Sequence, residues 1–216
     1  MKSKILQNLI KTTLIISLIL IILLTPFLFF SYNEHHYESQ AKQNNIYQKL
    51  GEQTARQQNK NTINFLLGKE ELKGNYTQAE KQHMQDVKNI YTTINAITTI
   101  CLLIAILGII YFTKKRQEKQ IIKSLKQSSI TVLLIGILIL ILTLLNFQNT
   151  FTAFHNIFFP QGNWQFPINS LLITLYPTQF FTDTATYSFL TSTIISLMTL
   201  TITFLPKYQP LFSSKK

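Results

Sequence analysis

Four apolar stretches decide what this chain can become. They run from about Thr12 to Ser31, Thr92 to Phe112, Ser128 to Phe147 and Thr184 to Leu205, and none contains Asp, Glu, Lys or Arg. Each holds roughly 20 residues, which at ~1.5 Å rise per helical residue matches a hydrocarbon layer of ~30 Å. Isoleucine and leucine encircle the first and third on every helical face, so neither is the amphipathic helix of a soluble bundle. The chain reads as an all-α membrane protein, a single four-helix membrane domain over residues 1–216.

Basic residues orient it. Lys2, Lys4 and Lys11 place +3 before the first span. The 113–127 segment carries six Lys or Arg against Glu118, and Lys207, Lys215 and Lys216 follow the fourth span. These three regions account for the net charge of +11, whereas the 32–91 segment balances eight basic residues against seven acidic ones. The positive-inside bias therefore puts both termini and the 113–127 loop in the cytoplasm. It makes 32–91 an extracellular cap, and 148–183 an aromatic interfacial loop between spans three and four.

The same placement argues against nucleic acid as a partner despite a pI near 9.7. The charges sit at span ends without aromatic stacking partners, where anionic lipid headgroups are the natural neighbours. The first span is too long for a cleaved signal h-region of ~7–15 residues and lacks a small-x-small cleavage site. Pro26 is expected to kink it near its outer end. Cys101 is the single cysteine and lies in mid-span, so no disulfide framework exists and packing is its default role.

The outer cap begins with Gln- and Asn-rich sequence that reads as a solvated helix or irregular cover. The run INFLLGKEEL, closed by Gly68, reads as a strand or turn over the membrane face. Thr77 followed by Glu80 is a capping-box pattern, which starts a helix through AEKQHMQDVKNIY into span two. Glu80, His83, Asp86 and Val87 then share one helical face. Asp86, one turn from His83, can fix the imidazole tautomer and raise its basicity; the same three polar residues serve equally as a solvent-facing stripe. His35 and His36 diverge by ~100° on a helix and read as surface residues.

The segment FHNIFFPQGNWQF is more pointed. Seven of the sixteen phenylalanines and three of the six prolines lie between Phe151 and Phe181. His155 stands among Phe154, Ile157, Phe158 and Phe159, followed by Gly162, Asn163 and the single tryptophan, Trp164. An ionisable group at membrane depth is costly and tends to be functional. No GxSxG elbow, Walker loop or HExxH motif occurs, and one Glu–x–x–His spacing is half of a carboxylate metal site, so no metal is expected. What remains is histidine acid–base and electrostatic catalysis on an amphiphilic substrate, suited to acyl transfer in which the substrate brings its own nucleophile.

The pair EKQHMQDVKNIY and FHNIFFPQGNWQFPINSLLITLYPTQFF, in a four-span frame with both termini inside, resembles the bacterial lipoprotein intramolecular transacylase family. The similarity covers essentially the whole chain, more loosely in the Gln-rich cap. It implies a substrate lipoprotein carrying a diacylglyceryl group on its N-terminal cysteine. The sn-2 acyl chain would pass to that cysteine's α-amine, giving an N-acyl, S-monoacylglyceryl lyso-form. No cofactor is implied. His83 would serve as base, Asp86 as its orienting carboxylate, and His155 with Asn163 as oxyanion donors, with the two histidine roles open to exchange. Trp164, Phe158, Phe159 and Gly162 would hold the substrate at the outer leaflet of the bacterial plasma membrane. A membrane ester hydrolase using the same histidines, and a non-catalytic scaffold for envelope lipoprotein factors, are the competing readings.

Overall fold

The computed structural model describes residues 2–205, and the three C-terminal lysines lie outside that range. Every regular element among the described residues is a helix: α1 (Lys2–Tyr32), α2 (Glu34–Gln43), α3 (Ile46–Leu50), α4 (Glu52–Leu66), α5 (Gln78–Lys114), α6 (Glu118–Phe158), α7 (Leu171–Leu175) and α8 (Thr178–Phe204). Four of them are long and apolar enough to cross a membrane. The chain is an all-helical, multi-pass membrane protein. At 37 residues, α5 is much longer than a bilayer needs, and its charge-free part starts only at about Thr92. The Gln78–Tyr91 turns that carry His83 therefore precede the span.

The described residues cluster into two compact units. Within the described residues, the first comprises 2–26, 96–140 and 188–205. Its centre is Leu14, Ala105 and Phe112, with Ile10, Leu18, Ile21, Tyr111 and Ile121 packed around them. Gly108 lets α5 approach α1 closely, since a Cβ there would stand 3.4 Å from Leu14 Cδ1. Ser192 of α8 donates to the Ile22 carbonyl of α1 at 2.9 Å. Small and hydroxylated side chains hold helices together where apolar burial offers no net drive, because lipid is as apolar as leucine.

The second unit, residues 27–95 and 141–187, holds every site residue expected from the sequence. Its core joins Tyr37, Ala41, Ile46, Ala55, Ile63, Phe65, Leu66, Tyr76 and Met84 to Leu172, Leu175, Tyr176 and Phe180. The chain leaves α1 through Asn33, whose side chain caps α2 by accepting from His36 N at 3.1 Å. Pro26 sits inside α1 without ending it.

Three elements differ from expectation. The run INFLLGKEEL forms no strand: Ile63, Phe65 and Leu66 are buried in the last turns of α4, and the chain reverses at Gly68 with φ +73°. Asn61 explains the reversal, accepting from Lys73 N at 2.7 Å and donating to the Glu71 carbonyl at 2.9 Å. His36 is buried, not on the surface. Its Nε2 is 2.8 Å from Thr184 Oγ1, and Phe30, Tyr37, Phe180 and Tyr187 wall its ring. Thr184 spends its own proton on the Phe180 carbonyl, so His36 is the donor of that pair. Finally, most of the 148–183 segment is helical. Helix α6 breaks at Asn146 (φ −165°, ψ 92°) and continues to Phe158. Asn146 Oδ1 caps the second arm by accepting from Asn149 N at 3.0 Å. This arm carries His155.

Candidate active site

Helix α5 begins with a reciprocal cap. Thr77 Oγ1 accepts from Glu80 N at 3.2 Å, while Glu80 Oε2 accepts from Thr77 N at 2.7 Å and from its hydroxyl at 2.9 Å. Glu80 is therefore not part of a solvent stripe; it is 1 % exposed, and its Oε1 accepts from Leu172 N at 2.8 Å. Ser170 caps the short α7 through a bond from Ile173 N. One buried carboxylate thus ties the start of α5 to the start of α7. His83 stands one turn further along α5.

His83 and His155 meet. Their rings lie nearly parallel, with centroids 6.4 Å apart and planes 20° from each other. Phe159 packs on both, at 4.6 Å from His83 and 5.5 Å from His155. Trp164 and Phe151 both pack on His155, at 4.7 Å and 4.0 Å, while Phe166 edges His83 at 5.5 Å. Both histidines are buried. Phe158 is exposed and packs on Phe154, whose ring in turn edges His155 at 5.4 Å. Gly162 supplies a turn with φ +75°, a backbone region that favours glycine.

Hydrogen bonding distinguishes the two rings. His155 Nδ1 is 2.8 Å from the Phe151 carbonyl, an acceptor only. Neutral His155 must carry its proton on Nδ1, which leaves Nε2 with a free lone pair. His83 Nδ1 is buried and makes no well-formed hydrogen bond, although the Asn163 side chain lies close enough to the ring to favour its charged form. Asp86 does not bond His83. Its Oδ2 accepts from Asn163 Nδ2 at 2.7 Å and from Gln161 Nε2 at 3.0 Å, and Gln161 also donates to Asn163 Oδ1 at 3.1 Å.

Burial lowers the pKa of His83 to about 4; the neighbouring His155 adds to this, and Asp86 and Asn163 act against it. Burial also lowers His155, opposed by the bond to the Phe151 carbonyl, which favours the charged ring. Both imidazoles are neutral at physiological pH. Such a pair can offer one basic nitrogen and one N–H donor at the same time. Among the described residues, no group of three or more His, Cys, Asp or Glu is placed to hold a metal ion.

Two stacked, buried histidines under an aromatic cover thus stand in a multi-pass, all-helical membrane protein. The model of the family Lipoprotein intramolecular transacylase Lit matches residues 12–181. The chain belongs to that family. In solved structures, the membrane-integral lipoprotein intramolecular transacylase Lit from Bacillus cereus superposes with a TM-score of 0.84 over 96 % of both chains, at 22 % identity. Its variant with one histidine changed to alanine gives 0.80 over 97 % of each chain. These structures share the fold. An uncharacterised protein of Aquifex aeolicus is 28 % identical over 125 residues, which cover 58 % of this chain and about half (55 %) of that relative.

The residues that the sequence points to, His83, His155, Asp86, Asn163, Trp164, Phe158, Phe159 and Gly162, all fall in one unit of the fold. Phe151, Gln161 and Phe166 join them without a signal of their own in the motifs. Phe151 precedes His155 by four residues, so a helical reading of 147–158 would have found it.

Proposed function

We propose that this protein transfers the sn-2 acyl chain of a diacylglyceryl-cysteine lipoprotein to the α-amine of the same cysteine, at the outer leaflet of a bacterial plasma membrane. The observation that carries the reading is the stacked histidine pair, one ring locked as an Nε2 base. Transfer within one substrate needs a base and an oxyanion donor, and both nucleophile and ester arrive together.

The bond from His155 Nδ1 to the Phe151 carbonyl favours one of the two assignments that the sequence leaves open. His155 Nε2 is the base, and neutral His83 is the N–H donor. A neutral imidazole polarises a carbonyl without surrendering its proton, and burial keeps His83 in that state. The amine lone pair attacks the ester carbon, the new C–N bond forms, and the carbonyl electron pair moves onto oxygen beside His83. His155 takes a proton from the nitrogen. As the intermediate collapses, the carbon–oxygen bond to glycerol breaks, and the proton passes from His155 to the departing sn-2 oxygen. An ester and an amine become an amide and an alcohol. Phe151, Phe159, Trp164 and Phe166 keep water from the acyl carbon, which favours the amine as acceptor.

The decisive experiment expresses the protein in cells that make only diacylglyceryl lipoproteins and reads the N-terminal lipopeptide by tandem mass spectrometry. An isobaric product bearing one acyl group on nitrogen is expected. A lyso product without N-acylation would establish a hydrolase, and an unchanged lipopeptide with the protein inserted would leave only a scaffold.

The pKa directions also set a pH dependence. Both histidines are depressed, so each is neutral and competent above its folded pKa, and competence is lost only as pH falls through that value. His83 should therefore give no break near the ordinary histidine value of 6.5. Instead kcat/KM should climb with pH as the substrate α-amine, with pKa ~8, loses its proton. Initial rates between pH 5 and 9 in bicelles test this. A rate that stays flat or falls between pH 7 and 9 would contradict it.

A further inference from the structure

Asp86 is half-buried, and among the described residues its carboxylate is in no ion pair. The recorded pairs consume Glu38, Glu52 and Glu70 instead. Two amide groups hold Asp86, and both bond Oδ2, so Oδ1 receives no bond. The nearest lysine along α5, Lys88, directs its ammonium over the Phe65 ring at 4.5 Å. Amide donors fix a carboxylate in place without cancelling its charge, whereas a lysine or arginine would neutralise it. Beside the histidine pair, then, stands an oriented negative charge with one free oxygen. A carboxylate whose task was to orient His83 would bond that ring, and His83 Nδ1 makes no well-formed hydrogen bond.

We infer that Asp86 is the anchor for the substrate's α-amine, accepting an N–H through Oδ1 while Asn163 and Gln161 hold its other oxygen. The inference rests on the transacylase reading and deepens it by assigning the specificity for a free primary amine. During attack the nitrogen gains positive charge before His155 removes the proton, and the carboxylate offsets that charge. The amide nitrogen of the product has no positive charge, so the anchor holds substrate better than product. Asn163 becomes a positioning residue that acts through Asp86.

The test uses unreactive ligands and the whole wild-type protein in bicelles. An S-dialkylglyceryl cysteine peptide, its chains ether-linked, cannot transfer them; its deamino counterpart lacks the amine and adds no bulk. The free-amine ligand should bind about tenfold or more tightly, the scale of a charge-assisted contact. That preference should vanish in Asp86→Asn, while affinity for the deamino ligand stays unchanged. Equal binding of both ligands to wild type, or a preference that survives Asp86→Asn, would overturn the anchor. Conversion of the ester-linked peptide, measured alongside, separates the two ideas. Product formation with equal ligand binding sinks the anchor alone; no product and no binding of either ligand sink the transacylase reading with it.

Discussion

His155→Gln should lower the rate of acyl transfer by about 10²–10⁴-fold, the usual worth of a positioned general base. The prediction turns on which nitrogen is free. The Phe151 carbonyl, 2.8 Å from Nδ1, takes the single proton of the neutral ring and turns the Nε2 lone pair outward. A glutamine there offers an amide, which is no base, so nothing replaces the lost function. His83→Gln is different. An amide N–H can still face a developing oxyanion, and the rate should fall by less than in His83→Ala, where loss of a donor costs about 10²–10³-fold. The ordering His155→Gln well below His83→Gln is the measurable signature, read as lipopeptide conversion by mass spectrometry at matched protein levels. The opposite ordering would restore His83 as base. The double variant should be little worse than His155→Gln, because residues acting in one step are not additive.

The spans were legible because twenty apolar residues without charge have few other destinations. The capping box at Thr77 and Glu80 was legible too, since its signal is local. Contacts made across the sequence were not. His36 looked like half of an exposed His–His pair until Thr184, 148 residues away, supplied its acceptor and four aromatic rings closed round it. Asp86 was one turn from His83 and so seemed its partner, yet Asn163, 77 residues on, captures the carboxylate. The second arm of α6 was hidden for another reason. Its aromatic density and the prolines from Pro160 onward looked like a connector, and a break at Asn146 carries no proline or glycine to announce it. Within that arm the spacing from Phe151 to His155 is ordinary helical geometry.

Glu80 bears the largest expected effect on stability. Its two oxygens accept from the Thr77 amide, the Thr77 hydroxyl and the Leu172 amide, at 2.7, 2.9 and 2.8 Å. Hydrogen bonds to a charged group contribute ~1.5–3 kcal/mol each, and removing one partner strands the others in a buried place. Since such bonds are not additive, Glu80→Ala should cost about 3 kcal/mol or more. Glu80→Gln keeps a capping oxygen but loses the charge, and should cost less. Burial alone would raise the Glu80 pKa, but the Leu172 and Thr77 amides and the hydroxyls outweigh it and hold it below 4.5. The sign follows: the carboxylate's contribution is fully present above that value and is lost as pH falls through the lower folded pKa. Thermal unfolding in detergent at neutral and acid pH measures both effects. Wild type should lose stability in acid more steeply than Glu80→Gln, which has no carboxylate there to protonate. If Glu80→Ala unfolds like wild type while transfer collapses, the carboxylate belongs to the chemistry and not to the scaffold that places His83.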